Sequence, residues 1–457
     1  MFVIPALVAL MIFVYVRPHE IFEGLRWITL PLVIGPVILA QFLDWRIGVS
    51  KFRGGPLLAA AIAFFTWSVL SVIIKASATL STELVLFGSA FILFFSLHQG
   101  LQTFRAMAAM TMVLLAITVL LAAIGVDQGL SSTVCVSSAE DAPTEIADPD
   151  REGRPCVTAK DCNEGGIPGM EYRCELQGLL YTHSIGGRVR FRGVLNDPNE
   201  LAWGISLALP LALLWYGRRR TIWRMIGVAV VFVVIATCVI MTKSRSGQQT
   251  VVAILGLYVV RRFGWRGVLA ALPLLIPILL LGGRSGEEAA SSSEERLECW
   301  SAGMSMWREN PFLGVGSGQF GQHHYLTAHS SFVLTLAEMG PIGLILWSLV
   351  LYTAFKIVIC AQRDVSHRPE AALAREWAVA ILASLAGLLV STFFLSLPYH
   401  PIVWIELGLV GALYASIRRH SPDWRVSIGL RDALLVVGTD ALLVVAITFY
   451  LRLKGVS

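Results

Sequence analysis

Arg190, Arg192, Arg245, Arg296 and His329 are the residues of this 457-residue chain whose types and settings suit chemistry on an anion. The stretch Arg190-Phe-Arg-Gly-Val-Leu-Asn-Asp-Pro-Asn199 puts two guanidinium groups one residue apart and follows them with an Asp-Pro-Asn-Glu that reads as a helix start. Guanidinium forks match phosphate and helix N-termini carry partial positive charge, so this stretch, Asn199 included, is a candidate anion site. Met241-Thr-Lys-Ser-Arg245-Ser-Gly247 is a second cationic turn at the end of an apolar run. Arg296 lies in a third segment, Glu294 to Arg308, and His329-Ser-Ser-Phe opens the next apolar run. A His at a helix start is a candidate acid or base. Glu338, further along that run and about 13 Å from His329 at the helical rise, is expected to pair with an Arg or His of another helix, because membrane carboxylates are costly unless paired. Glu406 invites the same expectation. Each residue also has a plainer reading, since charges at a membrane edge mark topology or meet lipid headgroups and an interfacial His caps a helix.

The elements that must position these residues are membrane helices. With 56% hydrophobic and 15% charged residues and a mean hydropathy of +0.69, the composition excludes an ordinary soluble globule. Apolar runs near 1–16, 27–43, 56–74, 83–97, 106–124, 197–216, 222–241, 247–260, 267–281, 329–355, 375–397, 401–417 and 432–451 are long enough to cross a hydrocarbon layer as helices. The expected fold is therefore an all-α polytopic membrane protein of about 12–13 spans. Residues 1–16 carry no cleavage site and read as a retained first span, whereas Asp432 and Asp440 make 432–451 the least regular of the set. Lys and Arg gather in alternate short connections, at Arg46, Lys51 and Arg53, Arg105, Arg218 to Arg220 with Arg224, Arg261, Arg262 and Arg266, Lys356, Arg363 and Arg368, and Arg418, Arg419 and Arg425. That alternation makes those connections cytoplasmic and sends 125–196 and 282–328 outside. All the candidate anion-binding residues then share the outer face.

The chain divides into a five-helix scaffold (1–124), a Cys-containing outer loop (125–196), helices six to nine (197–281), a second outer loop (282–328) and the C-terminal spans (329–457). Cys135, Cys156, Cys162 and Cys174 share the first loop and are expected to form two disulfides in one of three pairings; no C-x2-C spacing favours zinc. In the second loop Ser292 or Ser293 can cap a helix, along which Leu297, Trp300, Met304 and Trp307 form one apolar stripe suited to lying on the membrane or over a cavity. Asn310-Pro-Phe-Leu-Gly-Val-Gly-Ser-Gly lacks the Lys-Ser/Thr of a nucleotide loop, and His323, His324 and His329 lack the accompanying carboxylate of a metal site.

Taken in order, Arg190-x-x-Gly193 with Pro198-Asn199, Ser244-Arg245-Ser-Gly247, Glu295-Arg296 with Trp300 and Pro311-x-x-Gly314-x-Gly316, and His329-Ser-Ser-Phe with Glu338-x-Gly340-x-x-Gly343 resemble the O-antigen ligase and polymerase family of bacterial envelope glycosyltransferases. The resemblance covers 190–343 and departs from the family at Ser330, where Asn is usual, at Arg192, which adds a second cation, and in the Cys-bearing loop. It implies a GT-C-like fold in the bacterial inner membrane with a periplasmic active site. It further implies a donor glycan on undecaprenyl diphosphate and an acceptor hydroxyl on lipid A core or a growing polysaccharide, with no metal, cofactor or nucleic acid involved. Arg190 and Arg245 would hold the diphosphate with help from Arg192 or Arg296, while His329 would position or deprotonate the acceptor and the anomeric centre would invert. A different class, a membrane transporter of a small anion such as bicarbonate, would instead place polar groups deep in several spans.

Overall fold

The computed structural model describes residues 2–137, 153–164, 171–218, 221–280, 287–364 and 371–456. Arg219, Arg220, Arg368, the Gly282 to Gly286 turn and part of the acidic first loop lie outside them. The helices are α1 (Val3–Val16), α2 (Leu30–Arg46), α3 (Pro56–Lys75), α4 (Leu80–Gly100), α5 (Phe104–Leu130), α6 (Pro198–Ser206), α7 (Ala208–Arg218), α8 (Ile222–Met241), α9 (Arg245–Leu280), α10 (Glu287–Glu309), α11 (Ser331–Asp364), α12 (Ala371–Thr392), α13 (Pro401–His420) and α14 (Leu430–Leu453). Among the described residues nine helical stretches are long and apolar enough to cross a membrane, and the protein is an all-α polytopic membrane protein. Helix prevails because hydrocarbon offers no partner to an unpaired N–H or C=O. Side chains start several helices: Thr103 accepts from the Ala106 amide, and Asp197 and His400 cap helices whose first residues are Pro198 and Pro401.

Contacts between connections sort the bundle into two ends. At one, the Lys51 amide donates to Gln102, Arg53 reaches the Arg418 carbonyl, and Arg419 reaches Val49. At the other, Lys75 bonds Asn310, Arg192 meets the Glu20 carbonyl, and Thr327 bonds Ser396. We call these the basic end and the loop end. Helix α14 runs the full distance. Its Asp432 pairs with Lys356 at 2.7 Å at the basic end of α11, and beyond its last turn the Val456 carbonyl accepts from Ser301 of α10 at the loop end. Asp440, midway, bonds Ser348 of α11 at 2.7 Å. The two acids that make this run irregular in sequence are thus its docking contacts to α11.

Aromatic rings of Phe64, Phe65, Trp347, Tyr399 and Trp404 pack together where α3, α11 and α13 meet. Helix α13 approaches α4 closely through Gly408 and Gly411, whose missing side chains leave room for Leu97 and His98. Outward faces of α2, α8 and α14 expose Leu39, Phe42, Val233, Leu442 and Val445, as lipid contact requires.

Two helices, α11 and α10, depart from the sequence expectation, and a third, α9, breaks between the two runs into which the sequence divides it. Helix α11 breaks at Gly340 (φ 66°), before Pro341, so the run 329–355 is not one straight span. Helix α9 breaks at Gly264 (φ 69°), which separates the runs 247–260 and 267–281. Helix α10 begins at Glu287, which puts Ser292 and Ser293 inside it and not at its cap. Its stripe does not lie free on the membrane: Met304 is in the core, Leu297, Trp300 and Trp307 pack against it, and Gly303 abuts Val333 and Ala337 of α11.

Candidate functional site

The Cys-containing loop, at the loop end of the bundle, holds the Arg190 stretch in place. Strands β1 (Thr133–Ser137), β2 (Tyr172–Gly178) and β3 (Thr182–His183) form a small antiparallel sheet in that order, with Cys135 opposite Cys174. Disulfides join Cys135 to Cys162 and Cys156 to Cys174. From the sheet, the buried Glu175 carboxylate accepts from the Ser184 hydroxyl and the Gly186 and Gly187 amides, which shapes the turn leading to Arg188. The last turn of α5 adds two anchors. Asp127 accepts from the Leu179 amide at 2.7 Å and Gln128 from the Arg190 amide at 2.9 Å.

The two arginines of that stretch differ in setting. Arg192 donates to the Leu180 and Tyr181 carbonyls at 2.7 and 2.6 Å, and both of those residues are left-handed (φ 59° and 56°). Its guanidinium therefore fastens the loop. Arg190 donates to the His183 carbonyl at 3.1 Å and to Asn196 Oδ1 at 2.8 Å, an exposed contact beside the helix start. Gly193, directly after Arg192, is left-handed (φ 58°), a conformation that favours glycine, and a Cβ there would also meet the Arg17 side chain. Sequence reasoning did not single out Arg188, which bridges the first two cationic segments: its Nε donates to the Thr242 carbonyl at 3.0 Å and its Nη2 to Asn199 Oδ1 at 3.2 Å.

Asn199 is thereby a joint. Its Oδ1 also accepts from Ser244 Oγ at 2.7 Å, and Ser244 in turn accepts from the Gly247 amide at 3.0 Å. Gly247 lies so close to Ala202 that any side chain would clash. The N-termini of α6 and α9 are thus held side by side, with exposed Arg245 as the first residue of α9. Two positive dipole ends and a guanidinium share one surface.

The remaining candidates meet on the segment 391–400, which the sequence assigns partly to a span. Helix α12 stops at Thr392 instead, and the following residues run irregularly to Pro401. Thr250, on α9 beyond Arg245, shares a 2.8 Å hydrogen bond with Ser391. Arg296 of α10 lies 5.7 Å over the Phe394 ring, at the edge of a groove of about 600 Å³ lined also by Trp300, Tyr450 and Lys454. Around His329, Thr327 bonds Ser396, and Ser331 donates to the Leu395 carbonyl and accepts from the Leu397 amide. His400 Nε2 reaches the Val194 carbonyl of the Arg190 stretch at 2.7 Å while its Nδ1 accepts from the Ile402 amide at 3.3 Å, which fixes a neutral tautomer. Burial pushes the His400 imidazole down to about 4. One irregular connection therefore ties together the four segments that carry Arg190, Arg245, Arg296 and His329. The only trace of it in sequence is Pro398-Tyr-His-Pro401, two prolines around two polar rings.

His329 (φ 49°) and Lys243 (φ 50°) occupy equivalent places. Each is a left-handed residue, followed by a serine, immediately before a helix. Such backbone costs of order 1 kcal/mol or more outside glycine and persists where surrounding bonds enforce it. All five left-handed non-glycine residues among those described, Arg17, Leu180, Tyr181, Lys243 and His329, lie at the loop end.

Glu338 has no cation among its hydrogen-bond partners. Its Oε1 accepts from the Phe320 amide at 3.0 Å and its Oε2 from the Tyr399 hydroxyl at 3.0 Å. Where α11 breaks, the freed Ala337 and Glu338 carbonyls accept from the Val315 and Gly316 amides. The Gly314-x-Gly316-x-Gly318 turn is therefore a plug in a helix break, and Glu338 holds it. Glu406 faces no ion partner either among the described residues; it borders a cavity of about 30 Å³ with Tyr15, Thr118 and Ser384. His324 turns to the Leu326 backbone and to Glu298 at 3.7 Å, and His323 is exposed, so these two do not converge on a common point. The one close sulfur or acid group found among the described residues, Cys135, Cys156 and Cys162 within 4.8 Å, consists of disulfide sulfurs.

A search of curated proteins finds no match to the chain. Residues 230–348, about a quarter of the chain running from α8 through the break in α11 and carrying Arg245, Arg296, His329 and Glu338, match the family model described as O-antigen ligase, and this match supports placing the chain with the O-antigen ligase and polymerase family.

Proposed function

We propose that the protein transfers a glycan from undecaprenyl diphosphate to an acceptor hydroxyl at the loop end of the bundle, which by the distribution of Lys and Arg faces the periplasm. The observation that carries this reading is the convergence on 391–400 of the segments bearing Arg190, Arg245, Arg296 and His329. Arg190 and Arg245, beside the paired N-termini of α6 and α9, contact the diphosphate, and Arg296 approaches it from α10. Arg188, Arg192, Asn199 and Glu338 position these groups. The acceptor oxygen attacks the anomeric carbon from the face opposite the diphosphate, a new C–O bond forms, and the anomeric C–O bond to phosphate breaks with its electron pair leaving on the diphosphate. The configuration inverts. His329 takes the hydroxyl proton, and the guanidinium groups balance the charge that grows on the leaving oxygen. No role is assigned to a metal.

The acceptor is lipid A core for a ligase or a growing polysaccharide for a polymerase. The test is transfer in vitro from a purified undecaprenyl-diphosphate glycan, with EDTA present and the products sized. Arg245→Ala is expected to lower the rate on the order of 10²-fold and His329→Ala by 10²-fold or more, with both proteins inserted and folded. A ladder of products identifies a polymerase and a single adduct a ligase. Loss of activity in EDTA would remove the metal-free mechanism, and full activity in both variants would remove the site.

A further inference from the structure

At the basic end, opposite the transfer site, a cavity of about 470 Å³ opens between α7, α9, α11 and α12. Three guanidinium groups from three helices line it: Arg261 of α9, Arg363 of α11 and Arg375 of α12. Gln362 and Tyr258 add polar groups, Leu214 and Val379 add apolar wall, and Glu376 is the one carboxylate among the described lining residues. Three other arginines of this end, by contrast, are engaged with backbone carbonyls. Arg53 donates to the Arg418 carbonyl, Arg419 to that of Val49, and Arg224 to that of Trp215 while stacking on its ring at 4.8 Å. Arg261, Arg363 and Arg375 make no hydrogen bond or ion pair among the described residues. Topology alone asks only that positive charge lie on this side. It does not ask three separate helices to aim unpaired guanidinium groups at one cavity, where their mutual repulsion opposes assembly.

We infer that Arg261, Arg363 and Arg375 form a binding site for a phosphate-bearing anion, most simply the headgroup of an anionic phospholipid of the surrounding membrane. Guanidinium forks match phosphate oxygens, and basic pockets between helices at the cytoplasmic surface suit such headgroups. Two observations favour a lipid over a free phosphate. The cavity is several times larger than a single phosphate ion needs, and its Leu214 and Val379 wall offers apolar surface for glycerol and acyl carbons. Leu214 also adjoins Trp215, which carries the Arg224 stack expected at headgroup depth. The site is independent of the transfer chemistry, since none of its residues contacts the loop end.

The experiment uses the full chain in nanodiscs of neutral phosphatidylcholine, with melting temperature and native mass spectrometry as readouts. Phosphatidylglycerol is added in one arm and inorganic phosphate, at matched ionic strength, in the other. Phosphatidylglycerol is expected to raise the melting temperature of the wild type and to remain as an adduct. Both effects should be lost in the triple variant Arg261→Gln, Arg363→Gln, Arg375→Gln, partly kept when all three become Lys, and kept in Arg224→Gln. A phosphate response with the same sensitivity to the variants, and no added effect of the lipid, assigns the same anion site to a soluble phosphate. Equal responses of the wild type and the triple Gln variant in both arms overturn the proposal. Glycan transfer by that variant, assayed in parallel, reports that it is folded and keeps this outcome separate from failure of the transfer site.

Discussion

His400 shows how one side chain can make the candidate site sensitive to acid without doing chemistry there. Its neutral ring donates to Val194 and accepts from Ile402, and burial first of all holds its pKa down to about 4. A histidine whose folded value lies below its unfolded 6.5 stabilises the protein fully above that pH, and the contribution is lost as pH falls from 6.5 toward 4. The amount at stake is roughly 3 kcal/mol. The melting temperature of the wild type should therefore drop through that window, and His400→Gln, less stable at neutral pH, should show a flatter acid limb. Arg188 makes a second case at this scale. Arg188→Lys keeps the charge but cannot span Thr242 and Asn199 with a planar fork, so it should slow transfer while leaving the KM for donor nearly unchanged.

At the scale of elements, the break in α11 is the feature on which the site depends. Gly340 takes a left-handed conformation, and the carbonyls that it frees are satisfied by the 314–318 turn. A Cβ on Gly314 (φ 64°) would run into the Ala337 carbonyl. Gly314→Ala should cost at least ~2 kcal/mol and lower transfer, because the plug sets where α11 starts and hence where His329 stands. Tyr399→Phe removes the one side-chain partner of the Glu338 carboxylate, beside the Gly318 and Phe320 amides, and should cost about 1–3 kcal/mol, read as a fall in melting temperature. In the outer loop the disulfides close segments of 27 and 18 residues, each worth about 3 kcal/mol to that unit. Reduction should make residues 133–183 protease-sensitive while the helices stay folded.

Across the whole molecule, helix α14 decides the topology. Its ends contact Lys356 at the basic end and Ser301 at the loop end, so Lys454 is expected on the same side as Tyr181 and opposite Asp423. Single replacements Lys454→Cys, Tyr181→Cys and Asp423→Cys, in a background with Cys360→Ser, should label from one side of the membrane for the first two and from the other for the third. Labelling of Lys454→Cys together with Asp423→Cys would mean that α14 does not cross. The same layering puts the arginine cavity and the proposed transfer site at opposite ends, which allows each to be altered separately.

Much of this organisation is carried by local chemistry. Apolar runs with charged connections determine helices and their alternation because backbone groups in lipid must pair within the helix and because Lys and Arg resist crossing. The residue order Arg190, Arg245, Arg296, His329 likewise picks out four segments that the bundle brings onto one connection. Tertiary structure alone decides how those segments are held. Asn199 and Ser244, 45 residues apart, form the joint between two helix starts, and the 391–400 segment gathers groups from four parts of the chain. Arg190 and Arg192 are indistinguishable in sequence and part company only when the left-handed Leu180 and Tyr181 turn their carbonyls toward Arg192. Glu338 is legible as a buried acid in need of a partner, yet its partners are backbone amides of the 318–320 turn and a tyrosine hydroxyl of a distant loop. The physical reason is common to all of these. Hydropathy and charge act on each segment separately, whereas a hydrogen bond between segments exists only after the packing of the bundle has brought its donor and acceptor within about 3 Å.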